Sequence, residues 1–264
     1  MGKIIGIMSL KGGVGKTSVV ASLGSALADF GKKVLLVDAN FSAPNLGIHF
    51  NVIDPEITLH DVMTRKANID DAIYAVGDLD ILPASLFSNN QINFLKLKDH
   101  IKRLKKIYDF ILLDSPPTLS EEGLATLYAS DEVFFVSTPD HATLSNTLKS
   151  LNRAIERGNK VNGIILNKVY DKKFELSLDD IEGTTNVPIM AVIPHDTNVL
   201  DAQAHFISPT EWKPRSKGTK EFKKLAAAIS GEKYEPFDWR KYFRKTPPKQ
   251  DVNRQVFYEC VFKD

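Results

Sequence analysis

Lys11-Gly12-Gly13-Val14-Gly15-Lys16-Thr17 sits between an apolar run, residues 4–8, and a helical repeat of Val20, Leu23 and Leu27. A glycine-rich turn that leaves a buried strand and opens a helix is the setting a phosphate-binding loop needs. Glycines let backbone N–H groups turn inward and approach an anion without a Cβ clash. The following helix adds its free amides and the positive end of its dipole. In this pattern Lys16 reaches the β- and γ-phosphates and the Thr17 hydroxyl ligates Mg²⁺. Leu10 stands where the usual motif has its first glycine, and a second lysine, Lys11, follows it.

Outward from this loop, short apolar runs recur at residues 34–37, 79–82, 110–113, 133–136, 164–166 and 189–193. Near-continuous apolar character in so short a run is what a parallel strand covered on both faces requires. Phe222, Leu225, Ala226 and Ile229 repeat at helical spacing. The alternation predicts an α/β fold: a mostly parallel twisted sheet, helices on both faces and right-handed crossovers. The pattern stops near Ser230-Gly231, which divides the chain into a body, residues 1–231, and a tail, residues 232–264. The tail interleaves Phe237, Trp239, Tyr242 and Phe243 with Arg240, Lys241, Arg244 and Lys245, and Pro247-Pro248 follow.

A length of 264 residues fits one large α/β domain with an appendage. The net charge of +1 excludes a molecule-wide polyanion binder and leaves only local patches. The cations of residues 96–106, on one expected helix, read as a solvated face, with DNA contact as the alternative. A single cysteine, Cys260, rules out an intrachain disulfide and a Cys-rich metal site within one chain, and agrees with a reducing compartment. His60, His100, His141, His195 and His205 lack metal-ligand spacing. No apolar stretch approaches the roughly 20 residues that span a bilayer. The expectation is a cytoplasmic protein, at most peripheral to a membrane.

Residues 11–17 resemble the deviant Walker A motif of the MinD/ParA superfamily, which also holds the nitrogenase iron protein and the Mrp-type carriers. The likeness runs over about residues 3–230 and points to archaeal-type MinD. It implies that Gly12, Gly13, Val14, Gly15, Lys16, Thr17 and Ser18 hold the phosphates of ATP. It also implies that Lys11 reaches across a homodimer interface to the partner's nucleotide. Asp114, at the end of an apolar run, fits the Walker B role of holding Mg²⁺ through a water, with Thr17 and Asp38 beside it. Asn167 is implied to face adenine, and Pro194 and Asp196 to lie beside the base and ribose.

One position departs from that family. Asp38, Asn45 and Leu46 match its first switch loop, but Asn40 stands where the family places a catalytic Asp. An amide can hydrogen-bond the attacking water but accepts a proton very poorly. Tight ATP binding, retained dimerisation and slow hydrolysis are therefore expected. Two origins are compatible with the sequence: a natural replacement, and an engineered change that traps the ATP-bound dimer. The resemblance implies an ATPase acting as an ATP-dependent dimerisation switch for intracellular positioning, with an unidentified protein partner. The tail, residues 232–264, is read as a contact for a protein partner or the dimer partner, as a membrane-docking segment, or as a segment packed on the body, and DNA is a further candidate partner. An Mrp-like or metalloenzyme-maturation ATPase and a non-hydrolysing ATP-binding scaffold are the alternatives.

Overall fold

The short apolar runs become strands because each has two faces to bury. In the computed structural model, which describes residues 2–88, 92–237 and 246–263, the strands are β1 (Lys3–Met8), β2 (Val34–Asp38), β3 (Tyr74–Val76), β4 (Leu79–Leu82), β5 (Phe110–Asp114), β6 (Glu132–Ser137), β7 (Lys160–Val169) and β8 (Ile189–Pro194). They form one sheet in the order β3-β4-β2-β5-β1-β6-β7-β8. Every neighbouring pair is parallel except β3–β4. Alternate side chains enter opposite cores. Ile5, Ile7, Leu36, Leu112 and Phe134 lie on one face, and Ile4, Leu35, Leu113, Val133 and Phe135 on the other. Each such side chain contributes about 1.5–3 kcal/mol on burial, so both faces fix the register.

The helices are α1 (Lys16–Ala28), α2 (Leu59–Met63), α3 (Leu97–Ile101), α4 (Glu121–Ala129), α5 (His141–Glu156), α6 (Leu178–Thr185), α7 (Thr197–Ala204), α8 (Pro209–Trp212), α9 (Lys217–Ser230) and α10 (Lys249–Phe262). Val20, Leu23 and Leu27 of α1 meet Phe222, Leu225 and Ile229 of α9 on the Ile5 face. The opposite face takes Leu59 and Val62 of α2, Leu97 and Ile101 of α3, Leu127 of α4, Leu144 and Leu151 of α5 and Ile181 of α6. This is the α/β architecture expected from the alternation.

Two local features differ from the sequence reading. The basic run at residues 96–106 is not one helix. A 3₁₀ turn (Phe94–Lys96), α3 and a second 3₁₀ turn (Lys102–Lys106) follow each other, tightened so that Leu97, Ile101 and Leu104 all reach the core. β3 is an additional edge strand joined to β4 by a two-residue turn, with Gly77 in the left-handed region (φ 58°). The end of the chain, for which the sequence leaves several readings open, packs on the body. α10 folds onto α9 and β8, the last strand of the sheet. Arg254 is buried; its Nη1 donates to the Met190 carbonyl at 2.7 Å and pairs with Glu221 at 3.0 Å, and its Nη2 pairs with Asp251. Asn253 Nδ2 donates to the Ile189 carbonyl at 2.8 Å. Of the aromatic-basic segment, Phe237 is exposed, while Trp239, Arg240, Lys241, Tyr242, Phe243, Arg244 and Lys245 lie outside the described residues. No helix among the described residues is long and apolar enough to cross a membrane.

Candidate functional site

Parallel strands deliver their carboxyl ends to one edge of the sheet, where α/β folds place ligands. β1 lies beside β5, with Ile7 opposite Asp114, and β2 lies on the other side of β5, with Asp38 opposite Asp114. The loop leaving β1 therefore rises next to two buried carboxylates.

That loop adopts a conformation only its glycines allow easily. Gly13 and Gly15 have φ of 79° and 86°. Space above Gly12 and Gly13 is open, whereas a Cβ on Gly15 would sit 2.4 Å from Asn167 Nδ2. Gly15 is the N-cap of α1, and no side chain takes up the first amides of that helix. Uncommitted amides at a helix start are what an anion seeks.

The two polar side chains of the first turn share one acceptor. Lys16 Nζ lies 2.7 Å from Asp114 Oδ1, and Thr17 Oγ1 donates to Asp114 Oδ2 at 2.6 Å. Lys16 is buried and Asp114 fully so. Asp38 accepts from the backbone N–H groups of Asn40 (3.1 Å), Asn45 (2.9 Å) and Leu46 (2.9 Å), which pins the loop after β2. Burial, then the neighbouring Asp114 charge, raise the Asp38 carboxyl to about 7 against the pull of those three amides. Asn40 is buried at the lip of the site, its Nδ2 donating to the Ala43 carbonyl.

Lys11 turns toward its own chain. Its Nζ donates to Thr143 Oγ1 at 2.8 Å and lies 3.5 Å from Asp140. Asp140 is the N-cap of α5 and accepts from Thr143 N at 2.9 Å. Partial burial works against the Asp140 charge, but hydrogen bonds from Thr138 and Thr143 and the Lys11 ammonium outweigh it and hold the carboxyl at about 2.

These residues open onto a cleft of about 480 Å³, within the range of small-molecule sites. Gly12, Gly13, Val14, Gly15, Lys16, Thr17 and Ser18 line it together with Lys11, Asn40, Asn167, Pro194 and Asp196. Asn167 is committed to the loop itself, its Nδ2 donating to the Val14 carbonyl at 2.8 Å. Asp196 caps α7 by accepting from Asn198 N at 2.9 Å.

Sequence reasoning passed over three lining residues. Lys168 has a left-handed backbone (φ 56°) and donates from Nζ to the Gly13 carbonyl at 2.6 Å. Gln203 donates to Ser18 Oγ at 2.6 Å and approaches His49 Nδ1 at 3.5 Å. Burial keeps the His49 imidazole below its usual pKa, against the attraction of Asp114. Lys168 directly follows Asn167, and that adjacency was the one available clue; His49 and Gln203 belong to distant segments with no motif around them. His195, which sits between Pro194 and Asp196 and lacks metal-ligand spacing in the sequence, lines the cleft and stacks on Tyr170 at 4.5 Å.

The donor set suits a phosphate chain and a hard divalent cation. Hydroxyl and carboxylate oxygens meet at Thr17 and Asp114, with a second carboxylate behind them, and Mg²⁺ takes oxygen ligands of this kind. An AAA-domain family model matches residues 2–168 of the chain. The chain is 32% identical to the septum site-determining protein MinD of Thermotoga maritima, over 88% of this chain and 89% of that protein. Among solved structures it resembles the cell division ATPase MinD of Pyrococcus furiosus, with a TM-score of 0.84, 36% identity and coverage of 88% and 99% of the two chains. It also resembles Pyrococcus horikoshii MinD solved with Mg-ADP, with a TM-score of 0.83, 35% identity and coverage of 87% and 96%.

Proposed function

The chain belongs to the MinD/ParA family of P-loop ATPases, and from that premise we propose that it is an ATP-dependent dimerisation switch with slow hydrolysis. The observation that carries this reading is the uncapped start of α1, with Lys16 and Thr17 gathered on Asp114 at the foot of the cleft.

In this reading the amides of residues 12–16 and the Lys16 ammonium hold the β- and γ-phosphates. Lys16 exchanges one anionic partner, Asp114, for another. Thr17 and Asp114, with Asp38 behind them, hold Mg²⁺, which when bound offsets part of the triphosphate charge. Asn167 and Lys168 brace the loop from below. Pro194 and Asp196 border the remaining space, where the base and ribose lie.

Lys11 supplies the switch. Released from Thr143 and Asp140, it reaches the nucleotide of a partner protomer. A lysine that meets phosphate only in the closed dimer makes ATP bind the dimer more tightly than the monomer. That difference is what lets a ligand drive association. The site is then shared across a two-fold interface. Asn40 orients the attacking water but takes its proton poorly, so turnover runs about 10²–10⁴-fold below that of a carboxylate at the same place.

The relative from Thermotoga maritima is named for septum-site determination, which supports a role in intracellular positioning with a protein partner. The basic run at residues 96–106 offers DNA a local patch, and the aromatic-basic composition of residues 237–245 keeps a membrane surface a candidate. An iron–sulfur carrier in the manner of Mrp is disfavoured, because the only cysteine, Cys260, is exposed on α10. A non-hydrolysing scaffold is the second reading, and Asn40 is the residue that favours it.

Equilibrium binding of Mg-ATP to the full chain and to Lys16→Ala tests the site. Loss of one charge-assisted contact to phosphate weakens binding by about 10- to 100-fold. Absence of Mg-ATP binding by the unaltered chain contradicts the assignment.

A further inference from the structure

We propose that the pocket between α2 and α3 is a second anion site, built for a phosphorylated small molecule and separate from the nucleotide cleft. The pocket measures about 440 Å³ and places Arg65, Lys66, Arg103 and His100 over a floor of Val62 and Ile69. None of its lining residues borders the cleft around residues 11–17.

Arg65 is the first reason. It follows the last turn of α2, where Arg65 N donates to the Val62 carbonyl at 3.0 Å and Lys66 N to the Asp61 carbonyl at 2.8 Å. Its backbone is left-handed, with φ of 61°. Glycine or asparagine closes a helix there at little steric cost, whereas an arginine Cβ is crowded. The backbone gains nothing from an arginine at this turn, so its side chain is the feature that needs a use. In the nucleotide cleft the other cation with such a backbone, Lys168, is in contact with the phosphate loop.

Charge is the second reason. Among the described residues neither Arg65 nor Lys66 has a carboxylate at ion-pair distance, while Arg103 pairs with Asp70 at 2.8 Å in an exposed, readily exchanged contact. Asp99 is the acidic group on the pocket wall. His100 reports the balance. Burial lowers its pKa, Asp99 opposes this, and Arg65, Arg103 and Lys96 lower it further. The lining sets Arg65, Lys66 and Arg103 against the single carboxylate of Asp99, so the pocket is electropositive.

The shape and donors define the ligand. Guanidinium groups present paired N–H donors that match phosphate oxygens. A concave pocket of this size with an apolar floor accepts a small organic body carrying one or two phosphates.

The test uses inorganic pyrophosphate as probe, titrated calorimetrically into the full chain whose nucleotide cleft is already saturated with Mg-ADP. Pyrophosphate should bind, and Arg65→Gly and Arg103→Ala should each weaken it at least about tenfold, the worth of one charge-assisted hydrogen bond. Arg65→Gly keeps the turn conformation, so its thermal midpoint should not fall, and a loss of binding reports the guanidinium alone. The His100 pKa, followed by NMR, should rise when the probe binds. Absence of pyrophosphate binding, or equal affinity in Arg65→Gly, overturns the proposal. A duplex oligonucleotide that binds through Arg65 where pyrophosphate does not also overturns it, in favour of a nucleic-acid surface.

Discussion

Replacing Asn40 with Asp should raise ATP turnover by about 10²–10⁴-fold, the usual worth of a general base. Two opposing terms set that magnitude. The Asn40 Nδ2 donates to the Ala43 carbonyl; a carboxylate cannot donate, so the variant loses a hydrogen bond worth about 1 kcal/mol and turns its oxygens from Ala43 toward the cleft. Against this, the rate gain corresponds to about 3–5 kcal/mol of barrier. The new carboxyl enters a buried setting that already holds Asp38 and Asp114. Burial and two like charges raise its pKa, toward the neutral range where a base serves best. The assay is steady-state phosphate release at saturating Mg-ATP and neutral pH, with Mg-ATP affinity measured on the same samples. An unchanged kcat with intact nucleotide binding refutes the role assigned to this position.

Two further outcomes follow from buried charges. Arg254→Ala leaves the Met190 carbonyl without its donor and Glu221 and Asp251 with Lys224 as their remaining cation; because Lys224 stays and Asp251 is 31% exposed, the cost should fall below that of a fully broken buried pair, about 2 kcal/mol, read as a thermal midpoint lowered by a few degrees with Mg-ATP affinity retained. Asp38 has a folded pKa raised from 3.8 to about 7, so its contribution to stability is fully present below about pH 4 and is lost as pH rises through about 7. The difference in unfolding free energy between the nucleotide-free chain and Asp38→Asn, from denaturant titrations, isolates this contribution and should decline over that interval by a few kcal/mol.

Much of the fold was legible because parallel strands covered on both faces must be apolar almost throughout, and residues such as Ile111-Leu112-Leu113 have no polar alternative use. β3 was not legible. Tyr74-Ala75-Val76 forms a half-exposed edge of three residues that continues the apolar Ala72-Ile73, so the run does not show where the strand begins; only Gly77 marks its turn. The basic run at residues 96–106 carried the helical spacing of Leu97, Ile101 and Leu104, but spacing does not reveal where α geometry tightens to 3₁₀. The loop between β1 and α1 was legible in its geometry because glycine conformation and the positions of Lys16 and Thr17 at the helix start are local properties. Lys168, His49 and Gln203, which line the same cleft as Asn40, Asn167, Pro194 and Asp196, were not, because tertiary approach brings them there. Gln203 meets Ser18 across 185 positions of sequence, and Asn167 meets the Val14 carbonyl across 153. The latter contact places Asn167, the residue expected against adenine, beside the loop on the cleft wall. The end of the chain carried no periodic signal strong enough to predict α10, whose inner face rests on Arg254, a residue that burial alone would have argued against.

The central claim is that two protomers share the triphosphate through Lys11, and the molar mass in solution tests it most directly. Light scattering on the purified chain should give a monomer with Mg-ADP and a dimer with Mg-ATP, and Lys11→Ala should remain monomeric in both. A monomer that persists under saturating Mg-ATP, or a dimer that forms equally well without the Lys11 ammonium, contradicts it.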